Sequence, residues 1–196
     1  MGGGGHFGKY GDFKRNEKLR KGLSSGKELR HERINSSSAH YARNDQFFIR
    51  DVQPSDRGFI KVLSKEAFNK YGAYENMIPK WLDSGFTVAF MACGKEKSLG
   101  FAMISRPPLA SKKSALSELL AIAVARALRG RGIGHLLLNE AERRAADMGS
   151  ESIVLHSASE NLVGQKLFVR HGFEPFINKI NYYPNGQEAI MMIKRI

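Results

Sequence analysis

One cysteine, Cys93, stands in the 196 residues, so the chain can form neither an internal disulfide nor a cysteine-based metal cluster. That economy suits a reducing cytoplasm, and no metal is expected. Long apolar runs are missing too: none approaches the roughly 18–20 residues that span a bilayer. Met1–His6 lacks the apolar stretch of a signal peptide, and His6 stands where myristoylation would want Ser or Thr. No membrane partner is expected. Acidic residues are scarce, 19 against 31 Lys and Arg, for a formal charge of +12. The excess is spread, with +5 in residues 1–46 and +7 in the other 150. Such a field attracts anions, including a phosphorylated cofactor. No recognisable nucleic-acid-binding motif accompanies it, so nucleic acid is not the expected partner.

Residues 1–46 are rich in Gly, Ser, Lys and Arg and poor in bulky apolar side chains. Such a composition does not offset the entropy of ordering, so they read as a disordered basic tail, with a short helix near Gly26–Ile34 as the alternative. A globular domain is expected over 47–196. Phe47–Val52 reads as a strand, and Pro54-Ser55-Asp56 opens a helix with Ser or Asp as its cap. A second helix is expected over Glu75–Leu82. Strands follow at Phe86–Cys93 and Leu99–Ser105, joined by the turn Gly94-Lys95-Glu96-Lys97. A polar loop containing Pro107-Pro108 leads to Leu116–Ala125, whose near-continuous apolar run predicts a strand buried on both faces. Ile133, Leu136, Leu137, Ala141, Ala145 and Met148 recur at helical spacing up to Gly149, with Glu140 and Arg144 as an outward i,i+4 pair. Ile153–His156 is a strand and Glu160–His171 a helix. Phe173–Tyr183 and Glu188–Arg195 are expected to form a hairpin around Pro184-Asn185-Gly186. The class is α/β, a mixed sheet flanked by helices with a strand–helix–strand crossover in its middle.

The chemistry concentrates where the strand ending at Ala125 runs into Arg126–Gly134 and then a helix. Gly130, Gly132 and Gly134 let main chain approach a ligand closely. First-turn amides of the helix have no internal partner and favour an anion, helped by the helix dipole and by Arg129 and Arg131. Neither a Walker loop nor a dinucleotide fingerprint fits, because no Gly-Lys-Ser/Thr follows and the G-x-G-x-x-G spacing is absent. A ligand-free Gly-rich turn stays open on the glycines alone.

Arg129-Gly130-Arg131-Gly132-Ile133-Gly134 resembles the Arg/Gln-x-x-Gly-x-Gly/Ala stretch of the GNAT (GCN5-related N-acetyltransferase) superfamily. Glu118–Val124 is similar to that family's fourth strand. Asn161 with Gln165–Phe168 and His171-Gly172-Phe173 resembles its Asn-x(6)-Tyr-x(3)-Gly-Phe pattern, so the likeness spans about residues 47–196. It implies a GNAT fold, a mixed and mostly antiparallel sheet, with acetyl-CoA as co-substrate. By the same resemblance, main chain of Ile122, Ala123 and Val124 pairs with the pantetheine arm, while amides of Arg129, Gly130, Arg131, Gly132, Ile133, Gly134 and His135 hold the pyrophosphate. Asn161 would contact pantetheine, or else serve as a plain helix cap.

The implied reaction is attack by a primary amine on the thioester, which needs a proton acceptor and a donor for the thioester oxygen, Val124 N–H or a neighbour. Glu118 and His156 are the candidate bases, each also readable as a structural hydrogen-bonding group. Burial in an apolar run would raise the Glu118 pKa towards a useful range. Phe168 departs from the Tyr that protonates the thiolate in many relatives, and Arg126 from a common Pro. Asn181-Tyr182-Tyr183-Pro184 resembles the C-terminal hairpin of ribosomal-protein-alanine acetyltransferases, whose paired tyrosines help bind a peptide; ordinary hairpin packing is the alternative. Tyr71, Tyr74 and Trp81 fall where the acceptor wall would lie. The expected partners are acetyl-CoA and an amine acceptor, a small molecule or a protein N-terminus, with a homodimer left open. The rival readings are a catalytically weak acyl-CoA sensor and a ribosome- or RNA-associated enzyme.

Overall fold

The computed structural model describes residues 47–95, 97–107 and 116–196. The expected tail, its alternative helix, Glu96 of the first turn and Pro108 of the polar loop lie outside the described residues. In chain order the elements are β1 (Phe48–Asp51), α1 (Arg57–Phe68), α2 (Tyr74–Leu82), β2 (Thr87–Cys93), β3 (Ser98–Ser105) and β4 (Leu116–Val124). There follow α3 (Ile133–Asp147), β5 (Ser152–Ala158), α4 (Leu162–Arg170), β6 (Glu174–Lys179) and β7 (Ala189–Arg195). The strands form one sheet in the order β1-β2-β3-β4-β5-β7-β6. Only β4 and β5 run parallel; α3 supplies the crossover such a pair requires.

Two apolar clusters sandwich this sheet. On one face α3 buries Ile133, Leu137, Leu138, Ala141 and Ala145 together with Phe168 of α4, Phe173, Ile153 and Leu155. On the other, Ile60 and Leu63 of α1 and Tyr74 and Ile78 of α2 meet Met91, Phe101, Met103 and Ala158. Each fully buried Leu or Ile contributes about 1.5–3 kcal/mol, so either helical layer stabilises the sheet substantially.

The structure corrects several local expectations. Asp56 does stand at the start of α1, but its carboxylate accepts from the Gln53 amide at 2.8 Å and from Arg50, serving the 3-10 turn before the helix. Glu140 is buried, not outward: Arg143 and Arg144 both fold over its carboxylate at the seam between α3 and β1. Burial would raise its pKa, yet hydrogen bonds from Arg143 and Arg144 outweigh burial and hold it low. In the C-terminal hairpin, β6 ends at Lys179, four residues short of the expected Tyr183. Asn181 takes a left-handed φ of 49°, and the expected turn at Pro184-Asn185-Gly186 is present, Gly186 N donating to Tyr183 O at 2.9 Å and Tyr182 N to Gln187 O at 3.0 Å.

As expected, β4 is packed on both faces, its buried residues alternating with half-buried ones. It also carries a bulge: Met103 pairs with Ala121 and Ile104 with Leu119, leaving Leu120 extra. Before the bulge Leu119 faces α3; after it Ile122 and Val124 do, while Ala121 and Ala123 face α1 and α2. Pairing with β5 stops at Leu119–Leu155, although β4 continues to Val124 and β5 to Ala158. The two parallel strands therefore splay into a wedge in the middle of the sheet.

Candidate active site

One wall of the wedge is the free edge of β4. Val124 is paired with Gly100, and the Ala125 amide donates to Leu99 O at 2.9 Å. That bond makes Val124–Gly100 a non-hydrogen-bonded pair of the ladder, so the N–H and C=O of Val124 point away from β3, into the wedge. Two residues back, Ile122 has the same orientation, while Ala123 spends its main-chain groups on β3. Of the three residues expected to pair with pantetheine, Ile122 and Val124 thus present polar main chain and Ala123 does not.

At the wedge's open end the chain makes a 3-10 turn over Arg126–Leu128 and then the glycine loop. Gly130 and Gly132 have φ of 78° and 82°, a left-handed conformation that favours glycine. Gly132 is the N-cap of α3 and has no side chain to satisfy the first-turn amides of Ile133, Gly134 and His135. Gly134 lies against α4, where a Cβ would come within 3.0 Å of Leu167 Cδ2. Arg129 folds back, its Nε donating to Val124 O at 3.1 Å, so its side chain links loop to strand; Arg131 is exposed. His135 reaches His171 at the end of α4, Nδ1 to Nδ1 at 3.2 Å. Asn161 is the N-cap of α4, its Oδ1 accepting from Gly164 N at 3.2 Å, so the cap reading holds for that oxygen.

The opposite mouth of the wedge opens on the α1–α2 face. There the two candidate bases form one unit: His156 Nδ1 lies 2.8 Å from Glu118 Oε1. Both side chains are largely buried, at 10% and 14% exposure. Their residues are 38 apart in sequence and meet because β4 and β5 are parallel neighbours, with Glu118 opposite Val154. The Tyr182 ring stacks on the imidazole at 4.3 Å, and Tyr183 Oη donates to the His156 carbonyl at 3.1 Å. With Glu118 at Nδ1, the hydrogen is assigned there and the buried Nε2, which has no hydrogen-bond partner, is a lone-pair acceptor.

Aromatic side chains surround this pair. Tyr71 packs on Tyr183 at 4.8 Å, and Tyr74 lies 6.4 Å from Tyr183 and 6.1 Å from Trp81 between ring centres. Burial, with the Glu118 charge adding to it, pushes the Tyr74 phenol far above its ordinary pKa. Tyr183 moves the same way, again chiefly by burial. Both remain protonated donors at any physiological pH. The β6–β7 loop is clamped on the α1–α2 turn: Asn185 N donates to Tyr71 O at 3.3 Å, and the side chains of Asn185 and Gln187 donate to Lys70 O. Gly72 lets Pro184 sit close enough that a Cβ would be 2.9 Å from its Cγ. Tyr182 and Tyr183 pack on each other within the hairpin loop and against His156 and Tyr71, as the packing alternative expected.

Some features of the site escaped sequence reasoning. The His135–His171 contact joins residues 36 apart, and no spacing rule announces it. Leu120 as a bulge residue is invisible in a uniformly apolar run. Phe168 is buried in the α3 cluster, edge to face with Phe173 at 6.1 Å, and offers no hydroxyl. Among the described residues, no three His, Cys, Asp or Glu side chains gather as metal ligands, and no helix is long and apolar enough to cross a membrane.

The open mixed sheet thus has a splayed parallel pair, with a glycine-lined helix N-terminus at one mouth and a carboxylate–imidazole pair at the other. The Acetyltransferase (GNAT) family model matches residues 52–173, and the chain belongs to that family. It is 31% identical over 111 residues to the uncharacterized N-acetyltransferase YdgE of Bacillus subtilis, covering 56% of this chain and 69% of that one. Arabidopsis thaliana NAA60, solved with a bisubstrate analogue, superposes with a TM-score of 0.67 at 17% identity over 76% of this chain and 98% of that one. The Escherichia coli ribosomal-protein-S18-alanine N-acetyltransferase does so with a TM-score of 0.64 at 21% identity, covering 76% and 94%. At such identities the likeness speaks for the fold.

Proposed function

We propose that the protein is an acetyl-CoA-dependent N-acetyltransferase whose proton acceptor is His156 Nε2, with Glu118 orienting the ring. The Glu118–His156 hydrogen bond of 2.8 Å, set at the mouth of the wedge, carries this reading. A carboxylate on Nδ1 fixes the tautomer and stabilises the imidazolium that forms when Nε2 takes a proton. An amine attacks only through a free lone pair, so an acceptor at that point is what the chemistry requires.

The residues present fit an acetyl-CoA donor. Main-chain groups of Ile122 and Val124 face the wedge as an added strand would need, and an extended pantetheine can pair with such an edge. The amides from Gly130 to His135, with Arg129 and Arg131 beside them, suit a pyrophosphate at the start of α3. The Val124 N–H is placed to donate to a carbonyl oxygen in the wedge. When bound, acetyl-CoA supplies the activated acyl group; the chain supplies the positioning, the base and the exclusion of water by its aromatic wall. Asn161, with its Oδ1 engaged at Gly164, contributes through its amide nitrogen if it touches the donor at all.

For the acceptor, a primary amine presented at the end of a molecule suits a mouth bordered by the β6–β7 loop, which is clamped on Lys70 and Tyr71. A peptide α-amine and a small-molecule amine both answer that description. CoA release measured over a panel of N-terminal peptides and free amines, with wild-type protein and His156→Ala side by side, tests the proposal. Turnover of at least one acceptor that is lost in the variant is expected. Phe168 favours a second reading, a CoA-binding sensor, and tight CoA binding without turnover of any acceptor would select it.

A further inference from the structure

We propose that the Ser157 hydroxyl is the hydrogen-bond donor to the CoA sulfur, taking the part that Phe168 cannot play. The inference rests on the acetyl-CoA reading above. Ser157 is buried, at 3% exposure, and its Oγ has no hydrogen-bond partner. Burying a hydroxyl unpaired costs on the order of 1–3 kcal/mol, so a natural chain keeps one where something else repays it. Its place in the fold says what. Ser157 lies on β5 beyond Leu155, where pairing with β4 has ended, and so on the wall of the wedge.

Strand alternation assigns its face. His156 turns to Tyr182 and Glu118, on the side of α1 and α2. Ile153 and Leu155 turn to α3 and Phe168, and Ser157 shares their parity. Gln165, one turn before Phe168 on α4, holds the adjoining main chain through Nε2 bonds to Ala158 O and Ser159 O at 2.9 and 3.0 Å. The donor loop opens on this same face, since Ile133 and Leu137 of α3 belong to the same cluster. An amine served by His156 Nε2 thus approaches the acyl carbon from one side of β5, and the leaving sulfur departs on the side of the next residue. As the N–C bond forms and the C–S bond breaks, its electron pair goes to sulfur and the amine proton to His156. The Ser157 O–H steadies the new thiolate without giving up its proton.

Binding measurements test this without knowledge of the acceptor. Calorimetry at pH about 9, above the ordinary thiol pKa, compares CoA with desulfo-CoA on wild type and Ser157→Ala. Wild type should prefer CoA by about tenfold, the scale of one hydrogen bond to a charged group, and the variant should lose that preference while binding desulfo-CoA as before. Melting of the ligand-free variant should equal or exceed wild type, because the unpaired hydroxyl is gone. A preserved preference, an equal loss for both ligands, or a lowered melting temperature each overturns the assignment. If wild type binds neither ligand, the donor reading itself fails, and the two failures are thereby told apart.

Discussion

On the proposed reading, the two mouths of the wedge recognise by different means. At the donor mouth the chain offers main chain: the edge of Ile122 and Val124, the left-handed glycines 130 and 132, and a helix start whose N-cap has no side chain. At the acceptor mouth it offers side chains: Glu118, His156 and rings from α1–α2 and the β6–β7 loop. A main-chain site accepts many sequences but needs glycines at fixed places. A side-chain site is free to change its residues and needs only that distant segments meet. The first suits a donor common to a family and the second an acceptor particular to each member.

The sharpest way to break this division is at the acceptor mouth. His156→Ala and Glu118→Gln should each lower kcat by about 10²- to 10⁴-fold, the usual range for a positioned base, with CoA affinity changed by less than about twofold. Because the residues act as one unit, the double variant should be no worse than the poorer single one. A full turnover rate in either variant, measured by CoA release, would remove the pair from the mechanism. Next in size is Gly132→Ala. A Cβ there meets nothing within 4 Å, so the penalty comes from φ of 82° alone, about 1–2 kcal/mol. The loop is expected to relax out of its cradle, weakening CoA by about tenfold with little change in melting temperature. Equal CoA affinity in calorimetry would show that the loop's left-handed shape is not what the donor reads.

The same division explains what the sequence disclosed. The spacing of Gly130, Gly132 and Gly134 after an apolar strand and before an amphipathic helix is local, so the glycine loop and most elements could be read directly. Glu118 and His156 were each legible as candidates, one in an apolar run and one on a strand, but their union depends on β4 and β5 being parallel neighbours in register. The clamp of Asn185 on Lys70 spans 115 residues and no local signal foretells it. The Leu120 bulge was hidden for another reason: from Leu119 to Ala125 every residue is apolar, and there alternation carries no information about face. The early end of β6 was hidden because Tyr182 and Tyr183 have strand-forming side chains, whereas their rings pack on His156 and Tyr71.

A smaller effect tests whether the clamp belongs to acceptor binding alone. Gly72→Ala would push a methyl to 2.9 Å from Pro184 Cγ, prying the β6–β7 loop from the α1–α2 turn. With Asn185→Ala as the milder companion, which removes the side-chain bond to Lys70 O, the acceptor KM should rise about threefold to tenfold, the value of one modest hydrogen bond or packing contact. CoA affinity should not move. A parallel loss of CoA binding in both variants would mean that the mouths are coupled through the wedge.

The donor mouth also carries a pH test of its own. Tyr74 and Tyr183 are held protonated by burial and lend no titration near neutrality. On the donor side, burial lowers the pKa of His171, and Lys194 and His135 push the same way. Glu142, with Oε1 at 3.0 Å from His171 Nε2, opposes them without reversing the shift. The folded protein therefore binds fewer protons at this site than the unfolded chain, whose imidazole titrates near 6.5. Stability from this group is complete above pH 6.5 and declines as pH falls from there to the lower folded pKa, where the slope ends. Asp56 is held low by its Arg50 hydrogen bonds, and Glu140 by Arg143 and Arg144 against the pull of burial, so both lose their contributions at more acid pH and leave the window just below 6.5 clear of them. Melting temperatures measured from pH 7.5 downward should fall through that window in wild type. They should fall less in His171→Asn, which keeps a polar side chain beside His135 and cannot take up the proton. Parallel curves for the two proteins would show that His171 does not carry the slope.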